Sequence, residues 1–213
     1  MNDIRDSYRV IARSAETEIK VTRSRFLGRA TEVASREDAE EFVARLRKRE
    51  FDSTHHCFAY RLGVDGAPNA SGLSDVIFRY GDDGEPSGSA GKPIYDVLCG
   101  RELTQTLIVV TRWFGGTKLG VGGLTRAYAD CATATLGAAG VTERFLTHTL
   151  VATVDFSTYQ NLIPMLGRLE IIPSATAFTD TVTLSLPVRL SRLTQFRTEF
   201  VELTHGRGRL IDA

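Results

Sequence analysis

The sequence has little of what would place it in a membrane or outside the cell. Its longest apolar stretches are only strand-sized, and its first twenty residues contain no apolar run of the kind found in a signal peptide. Its three cysteines, Cys57, Cys99 and Cys131, lie far apart without a CxxC pair, and an odd number argues against a disulfide framework. We therefore expect a cytoplasmic protein with reduced thiols and no membrane-spanning segment.

The sequence also lacks an excess of charge of either sign. Lys plus Arg and Asp plus Glu number 26 each, so the 213-residue chain has no overall field that would attract nucleic acid or acidic membranes. Any such binding must come from a local patch. The length allows one or two domains.

The first part of the chain predicts a sheet with three helices. Alternating or continuous apolar residues predict strands over 17–21, 25–33, 54–64, 76–80 and 103–114. The run 107–110 is apolar throughout, which favours a central position in the sheet.

The predicted helices have recognisable ends. Ser35 and Asp38 form a capping box at the start of the first helix. Pro93 suits the first position of a short second helix. Gly100 suits the position just beyond the end of that helix. A third helix is predicted from Gly122 or Gly123 to 139, and one face of it carries Leu124, Tyr128, Cys131 and Thr135.

From residue 147 the pattern becomes strand, helix, strand, strand, helix, strand. The predicted ranges are 147–156, 158–169, 171–178, 181–188, 192–203 and 208–211. This order is the split βαβ, ferredoxin-like plan. We place the domain boundary near Arg144, which gives domains 1–143 and 144–213.

Nine of the nineteen glycines lie between Asp82 and Tyr128, and all but Gly100 of these fall in two segments. The acidic segment is 82–93, DDGEPSGSAGKP, and the basic segment is 111–128, TRWFGGTKLGVGGLTRAY. Glycine loses more conformational entropy on folding than other residues. Such a high density of glycines is therefore expected where the backbone turns at positive φ or closely approaches another group. We therefore look for function in these two segments.

The acidic segment resembles two catalytic motifs without completing either. Gly91 and Lys92 lie between a strand and a helix as in a P-loop, but prolines stand where that motif needs its first glycine and its Ser/Thr. Ser89 and Lys92 have the S-x-x-K spacing, but no clear SDN and KTG partners occur in the chain.

Metal binding is also disfavoured. Asp82, Asp83 and Glu85 could hold a hard cation, but such a group is more typical of a loop in which Asp caps its own backbone. His55 and Cys57 share one side of a strand, and two ligands do not make a structural zinc site. We expect no metal and no cofactor.

The basic segment predicts an anion site. A strand, a glycine turn and a helix start occur together with Arg112, Lys118 and Arg126. Unpaired N–H groups at a helix N-terminus favour phosphate, as in a nucleotide or RNA. The glycine spacing from Gly120 does not complete a dinucleotide fingerprint. The alternative is a turn that needs glycine only for close packing.

Together the acidic and basic segments resemble the signature of the IMPACT family in its bacterial YigZ-like form. The upstream THHCFAYR at 54–61 and the C-terminal plan also fit, so the resemblance covers nearly the whole chain. It implies an α+β fold. The N-terminal domain would be similar to the second domain of ribosomal protein S5, and the C-terminal ferredoxin-like βαββαβ domain to one in elongation factor G.

The resemblance also implies a role in translation. Eukaryotic members of the family counter activation of an amino-acid-starvation kinase through its ribosome-associated activator. The sequence shows no counterpart of their N-terminal RWD domain, so we expect a ribosome- or RNA-related role rather than the kinase pathway. The family has no established catalytic residues. The predicted binding surface comprises Asp83, Glu85, Ser87, Lys92, Arg112, Trp113, Gly115, Gly116, Lys118, Gly120, Gly123, Arg126 and Tyr128.

The leading hypothesis is a non-enzymatic regulator that binds RNA, the ribosome or a translation factor, without sequence-specific DNA binding. Arg112, Lys118 and Arg126 would contact phosphate, and Trp113 or Tyr128 would stack on a base.

Two alternatives remain open. One is an enzyme for a small phosphorylated or acyl substrate, with Asp83, Glu85 and Lys92 as acid/base groups. The other is a protein-interaction module anchored by Trp113 and Phe114, which requires that at least one of these rings be exposed.

Overall fold

The computed structural model describes residues 6–64 and 76–213. The chain divides into two compact units. Among the described residues, the larger unit comprises 8–64 and 76–144, and the smaller comprises 6–7 and 145–213. In the described part of the chain, no helix is both long enough and apolar enough to cross a membrane.

The larger unit contains a five-stranded antiparallel sheet and a two-stranded sheet. Its elements are β1 (Ser7–Ile11), β2 (Ala15–Val21), β3 (Ser24–Glu32), α1 (Arg36–Arg49), β4 (His55–Leu62), β5 (Ile77–Gly81), α2 (Gly91–Gly100), β6 (Thr106–Trp113), α3 (Gly120–Ala139) and β7 (Val141–Phe145). The five-stranded order is β2-β3-β6-β4-β5, and β1 pairs with β7. The connection between β4 and β5 predicted from the sequence lies outside the described residues for most of its length.

The central position predicted for 107–110 is confirmed, because β6 lies between β3 and β4. Successive side chains of β6 enter two different cores. Ile108 and Val110 pack with α2 and α3, whereas Leu107 and Val109 pack with α1. Burial on both faces explains why this strand is continuously apolar.

The helix predictions are confirmed for α1 and α3 and corrected for α2. Ser35 and Asp38 form the predicted capping box of α1. The predicted face of α3 is buried, although the helix begins two residues early, and Gly140 with φ 67° follows its last residue. Helix α2 begins at Gly91, so Pro93 is its third residue and Gly100 its last. A distant carboxylate, described below, caps this earlier start.

The smaller unit has the predicted order of strands and helices. Its elements are β8 (Thr147–Val154), α4 (Phe156–Arg168), β9 (Ala175–Phe178), β10 (Val182–Arg189), α5 (Leu193–Thr204) and β11 (Arg209–Asp212). The antiparallel sheet has the order β11-β8-β10-β9. One of its faces forms a core with apolar residues of α4 and α5. Strand β9 begins four residues later than predicted, because the N–H of Ile171 donates to Leu166 O at the end of α4.

Candidate binding site formed by two glycine-rich segments

The acidic and basic segments leave the five-stranded sheet at the same end. Strand β5 ends at Gly81 and leads into the acidic segment, whereas β6 ends at Trp113 within the basic segment. Both strands pair antiparallel with β4, which begins at this end with His55. The topology therefore brings together two segments that lie apart in the sequence.

Asp82 organises the acidic segment. One oxygen of its carboxylate accepts the N–H groups of Ala90 at 3.0 Å and Gly91 at 2.8 Å, and the other accepts that of Gly88 at 2.8 Å. Asp82 thereby caps the start of α2 from outside the helix. A Cβ atom at Gly91 would lie 2.7 Å from the backbone nitrogen of Gly81, so this position requires glycine.

Asp83 ties the acidic segment to β4 and α1. Its Oδ2 accepts the backbone N–H of His56 at 2.7 Å, and its Oδ1 lies 2.6 Å from Nη2 of Arg47. Its carbonyl oxygen lies 2.7 Å from Nδ1 of His55. Because a carbonyl only accepts, that nitrogen of His55 carries the proton.

Glu85 joins the two segments from within. Its side chain is only 4% exposed, and Oε1 accepts from Nη1 of Arg112 at 2.5 Å and from the hydroxyl of Tyr128 at 2.8 Å. Burial raises the pKa of the Tyr128 phenol, and the neighbouring Cys57 and Glu85 raise it further, so the phenol keeps its proton and donates it. His55 Nε2 lies 3.8 Å from the same carboxylate oxygen.

Ser24 extends this network to the glycine turn. Its hydroxyl accepts from Nη2 of Arg112 at 3.2 Å and from the N–H of Gly115 at 3.3 Å. A Cβ atom at Gly115 would collide with the backbone of Arg23, so the turn approaches β3 more closely than any other residue would allow. Nothing in the sequence singled out Ser24, because its partners lie 88 and 91 residues further along the chain.

Burial corrects two of the predicted roles. The side chain of Arg112 is 5% exposed and paired with Glu85, so its guanidinium is not presented to a phosphate. Tyr128 is fully buried with its ring perpendicular to that of Phe26, so it cannot stack on a base. Sequence reasoning could not detect this pairing, since an arginine beside glycines has the same pattern whether it faces inward or outward.

The acid and base candidates of the enzyme hypothesis have separate structural partners. Lys92 lies on the surface of α2, 2.5 Å from Asp96 one turn further on. The hydroxyl of Ser89 is buried and donates to Pro86 O at 2.6 Å, so no Ser–Lys dyad forms. Ser87 is exposed. The structure therefore does not bring Asp83, Glu85 and Lys92 to one reacting point.

Cys57 on β4 also contributes a hydrogen bond to the acidic segment. The thiol of Cys57 is buried and donates to Asp82 O at 3.0 Å, and burial raises its pKa far above the ordinary value. Within 6–64 and 76–213, no three His, Cys, Asp or Glu residues are grouped in a way that could hold a metal ion.

The outer part of the basic segment is exposed. Lys118 and Arg126 are on the surface, and neither has a hydrogen bond or ion pair among the described residues. Helix α3 begins between them without a side-chain cap at Leu119. Gly116 and Gly120 have φ values of 82° and 68°, which favour glycine, and Gly123 lies in the first turn of the helix.

The two aromatic residues at the end of β6 differ in exposure. Trp113 is half-buried: Arg25 lies 4.1 Å above its ring, and its indole N–H donates to Asp52 at 3.1 Å. Phe114 is 47% exposed, and its backbone N–H donates to the Thr54 hydroxyl at 3.0 Å. The condition for the protein-interaction alternative, an exposed ring, is therefore met.

Comparison with known proteins identifies a shared domain around these segments. The Impact N-terminal domain matches residues 22–136, which include both of them. The IMPACT family member YvyE of Bacillus subtilis (strain 168) is 33% identical over 202 residues, 95% of this chain and 89% of that protein. The family member YigZ of Escherichia coli (strain K12) is 38% identical over 109 residues, 51% of this chain and 50% of YigZ.

A solved structure agrees over the whole length. A crystal structure of a hypothetical protein has a TM-score of 0.63 and 25% sequence identity, covering 99% of this chain and 98% of the other. The chain belongs to the IMPACT family, and the resemblance seen in the two glycine-rich segments is confirmed.

Proposed function

We propose that this protein is a translation-related regulator that binds RNA through the exposed part of the basic segment. Membership of the IMPACT family supports the link to translation, since eukaryotic members regulate it. The protein would make this RNA contact on the ribosome or together with a translation factor.

The unpaired cations of the basic segment carry this proposal. Lys118 and Arg126 flank the uncapped start of α3, whereas neighbouring cations such as Arg47 are already paired with carboxylates. A cation without a protein partner can bind phosphate without first losing an ion pair. N–H groups of the first helical turn add donors for the same anion.

RNA fits this surface better than a small phosphorylated metabolite. The cations are exposed, and the buried polar groups Glu85, Arg112 and Tyr128 are bound to one another rather than turned towards a substrate. Phe114, four residues before Lys118 in the chain, is exposed and takes the base-stacking role first assigned to Trp113 or Tyr128.

We also propose the finer fold relationships. The strand order β11-β8-β10-β9, with both helices contributing to a single core, supports a ferredoxin-like smaller unit similar to one in elongation factor G. Following the family resemblance, we propose that the larger unit has a fold similar to that of the second domain of ribosomal protein S5. Such folds host many functions, so the role in translation rests on the site and the family.

The decisive experiment measures binding of a fluorescent single-stranded RNA at several salt concentrations. Removing both cations with Lys118→Ala and Arg126→Ala should weaken binding and reduce the salt slope by about 0.7 for each phosphate that the protein no longer neutralises. The matched control is Arg101→Ala, which removes an exposed cation just beyond α2. An unchanged slope in the double variant, or an equal change in the control, would contradict the proposal.

A further inference from the structure

A second group of polar side chains lies where α1 ends, on the face of the five-stranded sheet that this helix covers. The hydroxyl oxygen of Ser53 is 2.8 Å from Nε2 of His56, and Nδ1 of His56 is 3.0 Å from the hydroxyl oxygen of Thr111. His56 and Thr111 are directly paired residues of β4 and β6. None of the three belongs to the predicted binding surface.

We propose that Ser53 is a nucleophilic serine, with His56 as its general base, that reacts with activated acyl compounds such as esters. This activity is independent of RNA binding. The proposal rests on the arrangement of three groups: the Ser53 hydroxyl, the His56 imidazole and the Thr111 hydroxyl. These correspond to the nucleophile, the base and the group that orients the base in nucleophilic catalysis by serine.

The imidazole is held on both sides and is neutral. His56 is 5% exposed and Thr111 is fully buried. Burial lowers the pKa of His56, so the ring is unprotonated at neutral pH and one of its nitrogens can accept a proton.

The two hydroxyl groups lie at different nitrogens of the ring, that of Ser53 at Nε2 and that of Thr111 at Nδ1. Because a hydroxyl can donate or accept, we assign the ring proton to Nδ1, where the Thr111 hydroxyl accepts it. Nε2 is then left as the acceptor for the proton of Ser53.

Backbone hydrogen bonds fix the position of Ser53 before any substrate arrives. Its own N–H donates to Glu50 O at 3.0 Å, and the N–H of Thr54 donates to Arg112 O at 2.8 Å. Ser53 is half-buried, and Phe51 and Asp52 beside it are exposed. The hydroxyl is therefore held against the imidazole in a segment that solvent reaches.

The proposed step is acyl transfer to serine. Oγ of Ser53 bonds to the carbonyl carbon while its proton passes to Nε2 of His56. The bond from that carbon to the leaving group breaks, and the leaving group departs with the electron pair and receives the proton from His56. Water then hydrolyses the acyl-serine and restores both side chains.

The test uses a fluorophosphonate reporter on the full chain, with the modified residue located by peptide mass spectrometry. In this reaction the Oγ–P bond forms, the P–F bond breaks, fluoride leaves and His56 takes the proton. We expect modification at Ser53 and its loss in Ser53→Ala. The internal control is Ser14, an exposed serine whose hydroxyl faces that of Thr31 at 3.2 Å without a base.

His56→Gln should slow the labelling of Ser53 at least ~100-fold, the lower end of what a general base contributes. Thr111→Val, which removes the acceptor for Nδ1–H, should also slow it and provides a second variant if His56→Gln does not fold. Labelling of Ser53 no faster than that of Ser14, or a rate independent of His56 and Thr111 in folded protein, would overturn the proposal. Neither result bears on RNA binding, since Ser53→Ala leaves the basic segment intact.

Discussion

The acidic segment and the outer part of the basic segment are both rich in glycine, yet their charged groups differ in exposure. In the acidic segment Asp82 and Glu85 are bound by backbone N–H groups, an arginine and a tyrosine of the same unit. In the basic segment Lys118 and Arg126 remain exposed without partners among the described residues. The acidic segment therefore stabilises the end of the sheet, and the outer part of the basic segment is free to meet a ligand.

The difference teaches that glycine content alone does not identify a binding loop. Gly91 and Gly115 are required because another backbone lies too close for a Cβ atom. In both segments glycine thus permits close packing. The difference lies in the charged side chains: Asp82, Glu85 and Arg112 have partners within the unit, whereas Lys118 and Arg126 have none among the described residues. If this division is correct, substitutions in the first group should act on stability and those in the second on binding.

The largest effect is expected from Glu85→Ala. It leaves the Arg112 guanidinium buried without its carboxylate, which typically costs about 3–5 kcal/mol in the free energy of unfolding. Chemical denaturation followed by circular dichroism measures this change.

The matched control for Glu85 is Asp96→Ala on the surface of α2. It also removes a carboxylate from an ion pair, but this pair is exposed to solvent, so it contributes far less to stability than the buried pair. Comparable losses in the two variants would mean that Glu85 does not hold the segments together.

Asp82→Ala should have the next largest effect, about 1–2 kcal/mol, because a capping carboxylate is removed from the start of α2. Asp82→Asn should recover part of this, since its amide oxygen still accepts.

Thiol modification gives a second readout for the removal of Asp82. Cys57 donates to Asp82 O and is buried, whereas Cys99 is exposed. We expect Cys99 to react first in the unsubstituted protein, and Cys57 to react faster after Asp82→Ala. An unchanged rate at Cys57, together with unchanged stability, would show that the acidic segment does not depend on this carboxylate.

The sequence predicted the elements of this site better than it predicted their roles. Apolar periodicity located β6, and the capping box located α1, because such signals are local. The inward orientation of Arg112 depends on Glu85, 27 residues away, which also accepts from Tyr128 on α3. No local pattern encodes a pairing of that kind. The early start of α2 was missed for the same reason, because its cap is Asp82, eight residues before the N-cap residue Ala90.

A smaller effect, on binding alone, is expected from Phe114→Ala. Stacking of one base on an aromatic ring contributes roughly 1–3 kcal/mol, and a ring that is 47% exposed should lie near the lower end of that range. The control is Phe178→Ala, which removes an exposed ring from the smaller unit. RNA affinity should fall for Phe114 and stay unchanged for Phe178, and equal affinities would exclude stacking at Phe114.

The smallest effect on stability is expected from Lys118→Ala, which should change the free energy of unfolding by less than about 0.5 kcal/mol. The side chain has no hydrogen-bond or ion-pair partner among the described residues, so its removal breaks no such interaction within the unit. The same denaturation experiment used for Glu85 measures this. A decrease of about 1 kcal/mol or more, twice the usual limit for a surface substitution, would mean that Lys118 serves the fold as Glu85 does. The division between the inward acidic segment and the exposed outer part of the basic segment would then no longer hold.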